Sequence, residues 1–98
     1  MALYALVCHD KPDSLDLRMA TREAHLAYVG GHSGKVKVGG PILDAKGDMA
    51  GSLLIFDTEH VADVQAFTDN DPYAQAGLFG RVEILPFKAS LGGFGTSG

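Results

Sequence analysis

The chain has 98 residues, 46 % of them hydrophobic and 20 % charged, which is one domain's worth of sequence: enough for a single core and too little for a second independently folding unit. A formal charge of −4 and the lack of any lysine- or arginine-rich window argue against a phosphate-binding surface, so no nucleic-acid partner is expected. The single cysteine, Cys8, excludes an intrachain disulfide and a cysteine-based zinc site. No apolar run is long enough for a membrane span, and Met1-Ala2-Leu3-Tyr4 lacks the basic start of a secretory signal, so the expected location is cytoplasmic and no membrane contact is expected.

Leu3 to His9 reads as a strand, with Leu3, Ala5 and Val7 on one face and Tyr4, Leu6 and Cys8 on the other; apolar residues on both sides predict burial of both. Asp10-Lys11-Pro12-Asp13 is a loop of turn-formers. Ser14 is one candidate cap, but Leu15 to Ala20 carries no clean apolar stripe, so the first helix is predicted to start at Thr21, with Glu23 favouring its positive end. Arg22, Leu26 and Val29 then fall at i, i+4 and i+7 with His25 beside them, until Gly30-Gly31 stops the helix. Val36, Val38 and the Gly39-Gly40-Pro41 step form a short second strand, Asp44 to Asp48 a turn, and Gly51 to Phe56 a third strand that completes a hairpin. Thr58-Glu59 is expected to open a second helix with the stripe Val61, Val64 and Phe67, ended by Asn70 and Asp71. Asp71-Pro72 restarts the chain in a short turn or helix, since aspartate caps and proline suits a first helical position, and Gly77 or Gly80 closes it. Val82 to Phe87 is the fourth strand, placed at a sheet edge by Pro86.

The order β-α-β-β-α-β is that of a ferredoxin-like α+β fold, with the least polar strands, the first and third, in the middle of an antiparallel sheet. Two helices cover only one face of such a sheet, so the apolar second face predicts a homodimer formed through it. Residues 1–89 form the single domain, and 90–98, rich in glycine, a flexible tail.

Few residues stand out chemically. Gly30-Gly31-His32-Ser33-Gly34-Lys35 has the wrong glycine spacing for a phosphate-cradling loop, lacks Ser or Thr after the lysine, and follows a helix instead of preceding one. His9, His25, His32 and His60 lie on separate elements without an i, i+4 pair, so no metal is expected. Cys8, mid-strand and without a basic neighbour in sequence, reads as core. His25 differs: beside a packed stripe, with Arg22 one turn before it, an imidazole can reach a cleft and move protons near neutral pH. The competing reading of His25 is a histidine hydrogen-bonded at the core boundary, and that of Asp71 is an N-cap and nothing more. Arg18 and Arg22 either bind an anionic substrate or lie solvated at the surface.

Taken in order, D-K-P-D-S-L from Asp10, R-x-x-x-R-x-x-H-L from Arg18 to Leu26, G-G-P at Gly39, G-S-L at Gly51, D-P-Y at Asp71, A-G at Ala76 and P-F-K at Pro86 resemble the YciI-like (YCII-related) family over the first strand to Lys88. The resemblance implies a ferredoxin-like domain of the dimeric α/β-barrel group that pairs through its sheet. It also implies a histidine and aspartate pair in a pocket, carried here by His25 and Asp71, with Ser52 and Tyr73 at positions that line it. His9 stands where many relatives carry glutamine, adding an imidazole near the end of the first strand. A better understood relative removes hydrogen chloride from a chlorinated hydroxyhydroquinone, and muconolactone isomerase shares the broader fold.

The sequence thus predicts a small enzyme without a cofactor, acting on a small oxygenated cyclic metabolite by isomerisation or elimination. His25 and Asp71 are its catalytic candidates, and Ser52, Arg22, Arg18, Tyr73 and His9 its substrate-binding candidates. The alternative is a dimer that binds a small molecule, or serves a structural role, without chemistry.

Overall fold

The structure, a computed structural model, describes residues 2–92. Leu3–Asp10 forms β1, Leu15–Gly30 α1, Val36–Leu43 β2, Met49–Asp57 β3, Val61–Asp69 α2, Pro72–Gln75 α3 and Phe79–Phe87 β4. The sheet runs β2-β3-β1-β4 and every neighbouring pair is antiparallel, so the two strands apolar on both faces are the central ones and Pro86 stands on an edge strand, as expected. The fold is α+β with the ferredoxin-like element order.

Strand alternation divides the sheet. Leu6 and Cys8 of β1 and Leu54 and Phe56 of β3 turn to the helices, where they pack against Val64 and Phe67 of α2, with Tyr28 and Val29 of α1 at the margin. On the other face Leu53, Leu85 and Phe87 are 42 %, 47 % and 46 % exposed. Gly51 is required where β3 passes β1, because a Cβ there would lie 2.5 Å from the Cys8 carbonyl oxygen.

The helix boundaries differ from the sequence expectation, and each difference has a cause. α1 begins at Leu15, not Thr21: the Arg18 N–H reaches the Ser14 carbonyl at 3.0 Å, and the Thr21 hydroxyl, inside the helix, donates to the Leu17 carbonyl at 2.9 Å. No apolar stripe announces the first half of α1 because the residue it buries is Arg18. The stripe expected from Leu26 also fails, since Leu26 is 50 % exposed while His25 is buried. α2 starts at Val61, after Thr58 has spent its hydroxyl on Asp63 Oδ2 at 2.6 Å, and Val61 is half exposed, leaving Val64 and Phe67 as the inward residues. β2 is longer than predicted and runs through Gly39-Gly40-Pro41 to Leu43, with register slips at both ends. Gly77, at φ +76°, turns the chain out of α3, and β4 starts at Phe79. The tail expected over 90–98 lies outside the described residues from 93 onward.

Candidate active site

The site is assembled at the mouth of the α1–sheet interface by residues from four elements. The i, i+4, i+7 spacing sets Arg18, Arg22 and His25 along one side of α1, and both Arg18 and His25 are buried. β1 contributes Asp10, β3 contributes Ser52, and the start of α3 contributes Asp71 and Tyr73.

Asp71 has two tasks at once. As the N-cap of α3, with Pro72 at the first helical position, its Oδ1 accepts the Tyr73 backbone N–H at 2.9 Å. The same oxygen lies 2.9 Å from His25 Nδ1. A carboxylate only accepts, so Nδ1 carries a proton, and in the neutral form of the ring Nε2 holds the free lone pair. The imidazole stacks on the Tyr73 ring, centroids 4.0 Å apart and planes 17° from parallel, which with the Asp71 bond fixes both the position and the rotation of the histidine.

Arg18 sits on the same tyrosine, its guanidinium carbon 4.5 Å from the ring centroid. Its Nε donates to Asp10 Oδ2 at 2.6 Å, while Nη2 donates to Asp10 Oδ1 and to Ser52 Oγ, each at 2.9 Å. Burial works against the guanidinium charge, but the bond to Asp10 and its negative charge outweigh that and hold Arg18 above its usual value, permanently charged. Burial likewise pushes the Tyr73 phenol up, with Arg18 and Arg22 pulling the other way. Because Ser52 Oγ accepts from Arg18, its own proton is available to donate.

Of these groups Arg18, His25, Ser52 and Tyr73 line a cavity of about 140 Å³, with Asp10 and Asp71 behind them. Arg22, His25 and Ser52 supply its polar side, Leu54 and Met49 an apolar one, and the Gly39–Pro41 strip of β2 a wall of bare backbone. A space of this size matches a single six-membered ring, since roughly 150 Å³ of apolar cavity accommodates benzene.

Six of the seven residues singled out from the sequence are therefore neighbours: His25, Asp71, Ser52, Arg18, Arg22 and Tyr73. His9 is not brought to the cavity. Alternation along β1 turns it away from Cys8 and toward Glu83, whose Oε1 it meets at 3.0 Å, so an imidazole one residue before Asp10 is on the wrong face of the sheet. Arg18 does line the cavity, but its charge is already matched by Asp10, whereas Arg22, also in the lining, makes no ion pair among the described residues. Asp10 was missed as a loop residue. The two-residue period from Leu6 through Cys8 reaches it, and that period was the available signal.

The rejected motifs behave as ordinary structure. Gly30 and Gly31 end α1, and Lys35 pairs with Asp63 at 3.5 Å. Burial pushes the Cys8 thiol up to about 12, which keeps it protonated and unsuited to nucleophilic chemistry. Among the described residues no three His, Cys, Asp or Glu side chains converge as a metal site, and no helix is long and apolar enough to cross a membrane.

Known proteins resemble this chain to different degrees. Protein YciI of Escherichia coli is 36 % identical over 94 residues, covering 88 % of this chain and 96 % of that protein. An uncharacterized protein of Haemophilus influenzae is 28 % identical over 93 residues, covering 87 % and 95 %. Among solved structures, 5-chloro-2-hydroxyhydroquinone dehydrochlorinase (TftG) of Burkholderia phenoliruptrix, in complex with 2,5-dihydroxybenzoquinone, superposes with a TM-score of 0.83 at 38 % identity, covering 88 % of this chain and 93 % of that one. An antibiotic biosynthesis monooxygenase at 10 % identity and a TM-score of 0.57 shares the fold alone. The YCII-related domain matches residues 2–88, nearly the whole described chain, and the protein belongs to that family.

Proposed function

We propose that the protein is a cytoplasmic enzyme that moves a proton on a single-ring hydroxylated substrate, with His25 as the acid/base and elimination as the reaction. The observation that carries this reading is the 2.9 Å contact between His25 Nδ1 and the buried Asp71 carboxylate, which leaves Nε2 as a base at a cavity of one-ring size. The likeness to the dehydrochlorinase, at 38 % identity, supports a hydroxylated ring as the substrate class.

For a chlorinated hydroxyhydroquinone the balance is simple. His25 Nε2 takes the proton of one ring hydroxyl and passes it to the chlorine-bearing carbon, so that this hydroxyl becomes a ketone. A second hydroxyl then gives its proton to the freed Nε2, its electrons move through the ring to expel chloride, and the imidazolium releases that proton to water. Hydrogen chloride leaves as a proton and chloride, the product is a hydroxyquinone, and no oxidant is consumed. Asp71 steadies the imidazolium formed in between, Ser52 donates to the ring oxygen that gains negative charge, and Arg22 offsets that charge at the rim. An isomerisation would use the same proton transfer without the leaving group.

The test is release of chloride from 5-chloro-2-hydroxyhydroquinone, with 2,5-dihydroxybenzoquinone as the binding probe. The wild type is expected to turn over, and His25→Ala to lose at least about 100-fold in kcat while still binding the quinone. Equal rates for the two proteins would sink the proposal. Quinone binding without turnover in the wild type would favour a binding module instead.

We further propose a homodimer through the open sheet face. A groove of about 630 Å³ runs along it, with Val38, Ile42, Leu53, Ile55 and Phe87 on the sheet and Leu91 on the chain leaving β4. Apolar area of this kind favours cover by a second copy of itself. Sedimentation at micromolar concentration is expected to give twice the chain mass, and Leu53→Glu to return a folded monomer; a wild-type monomer under those conditions would refute the pairing.

A further inference from the structure

Asp10 opens the D-K-P-D-S-L stretch without a role assigned to it there and is not among the residues lining the cavity, yet its carboxylate is 5 % exposed and holds Arg18 with both oxygens. An isolated carboxylate at that depth would be strongly unfavourable, so its presence is explained by the cation it faces. That cation lies against Tyr73, the ring on which His25 is stacked.

Any acid/base cycle on His25 passes through an imidazolium, and its ease of formation depends on the charges packed around the ring. From α3 the ring faces the Asp71 carboxylate and the Tyr73 phenol, which burial keeps protonated. Its own helix contributes Arg18 and Arg22, and Tyr28, whose phenol donates to the Phe67 carbonyl. β1 contributes the protonated Cys8 thiol and Asp10, β3 the neutral Ser52, and β2 only backbone, apolar groups and Pro41. Two anions therefore balance two cations. Remove Asp10 and two arginines face one aspartate, with a third positive charge to be formed between them.

We infer that Asp10 is a positioning residue for His25: by holding Arg18 in a charge-neutral pair against Tyr73, it allows the imidazole stacked on the same tyrosine to accept a proton. This rests on His25 as the acid/base, but it is a statement about charge coupling and is read without turnover.

The experiment follows the His25 ring resonances by NMR through a pH titration of the wild-type protein, Asp10→Asn, Arg18→Met and the double variant, with circular dichroism to verify folding. Asp10→Asn is expected to move the titration midpoint down by about one pH unit, because an unpaired cation then opposes the imidazolium. Arg18→Met is expected to move it up, because an unpaired anion then favours it. The double variant should return to within about 0.3 pH unit of wild type, since the two charge changes cancel. Shifts of the same sign in both single variants, or a double variant left displaced, would overturn the inference. Where a single variant does not fold, the double variant decides, because an Arg18 that acted on His25 without compensation would shift its midpoint upward. Absent chloride release with these shifts intact would remove the enzymatic reading and leave the coupling; turnover with an unmoved midpoint in Asp10→Asn would do the reverse.

Discussion

Asp71→Asn is expected to keep the fold and lose the chemistry, lowering turnover of 5-chloro-2-hydroxyhydroquinone by about 10²–10⁴-fold while stability changes by about 1 kcal/mol or less. The two effects separate because Asp71 Oδ1 serves two donors, the Tyr73 N–H and His25 Nδ1. Asparagine retains an amide oxygen and caps a helix about as well as aspartate, so α3 can still start at Pro72. It removes the negative charge, however, and that charge is what steadies an imidazolium on His25. Thermal unfolding and steady-state chloride release on the same preparation check both halves. Turnover left intact in Asp71→Asn, with stability lost only in Asp71→Ala, would mean that Asp71 acts as a cap alone.

The double use of Asp71 also explains how much of the site was legible. Asp71-Pro72 reads as a cap from local chemistry, and it is one; that the same oxygen meets His25 needs a contact across 46 residues, which no local rule supplies. The sheet was legible almost throughout, because its central strands are apolar on both faces and Pro86 marks an edge. The first half of α1 was not. A buried face normally announces itself by apolar residues, and here that face is Arg18, whose burial makes sense only once Asp10 is seen eight residues earlier. One contact, the Asp10–Arg18 pair, thus accounts for two misreadings, the late helix start and the loop role given to Asp10, and it decides between the two readings left open for Arg18 by burying it beside the cavity. His9 failed for a different reason, since strand parity was available in the sequence and places His9 with Ala5 and Val7, away from Cys8.

The same pair sets the largest expected loss of stability. Arg18→Ala should destabilise the protein by about 3–5 kcal/mol, because it strands the Asp10 carboxylate in a buried position and leaves Ser52 Oγ without its donor. The alkyl part of the side chain is lost as well, from a site where Arg18 is 2 % exposed and lies against Tyr73. Arg22→Ala, one turn along the same helix, removes an equal charge from the cavity rim and should cost at most about 0.5 kcal/mol of stability while weakening 2,5-dihydroxybenzoquinone binding. Urea unfolding of the two variants, with quinone titration of whichever folds, distinguishes the arginine that builds the site from the one left for the ligand. If Arg22→Ala proved the more destabilising, or Arg18→Ala left stability unchanged, the division of labour between them would be wrong. The geometry makes that division specific: one guanidinium has a carboxylate on two of its nitrogens, and the other has no anion among the described residues until a substrate brings one.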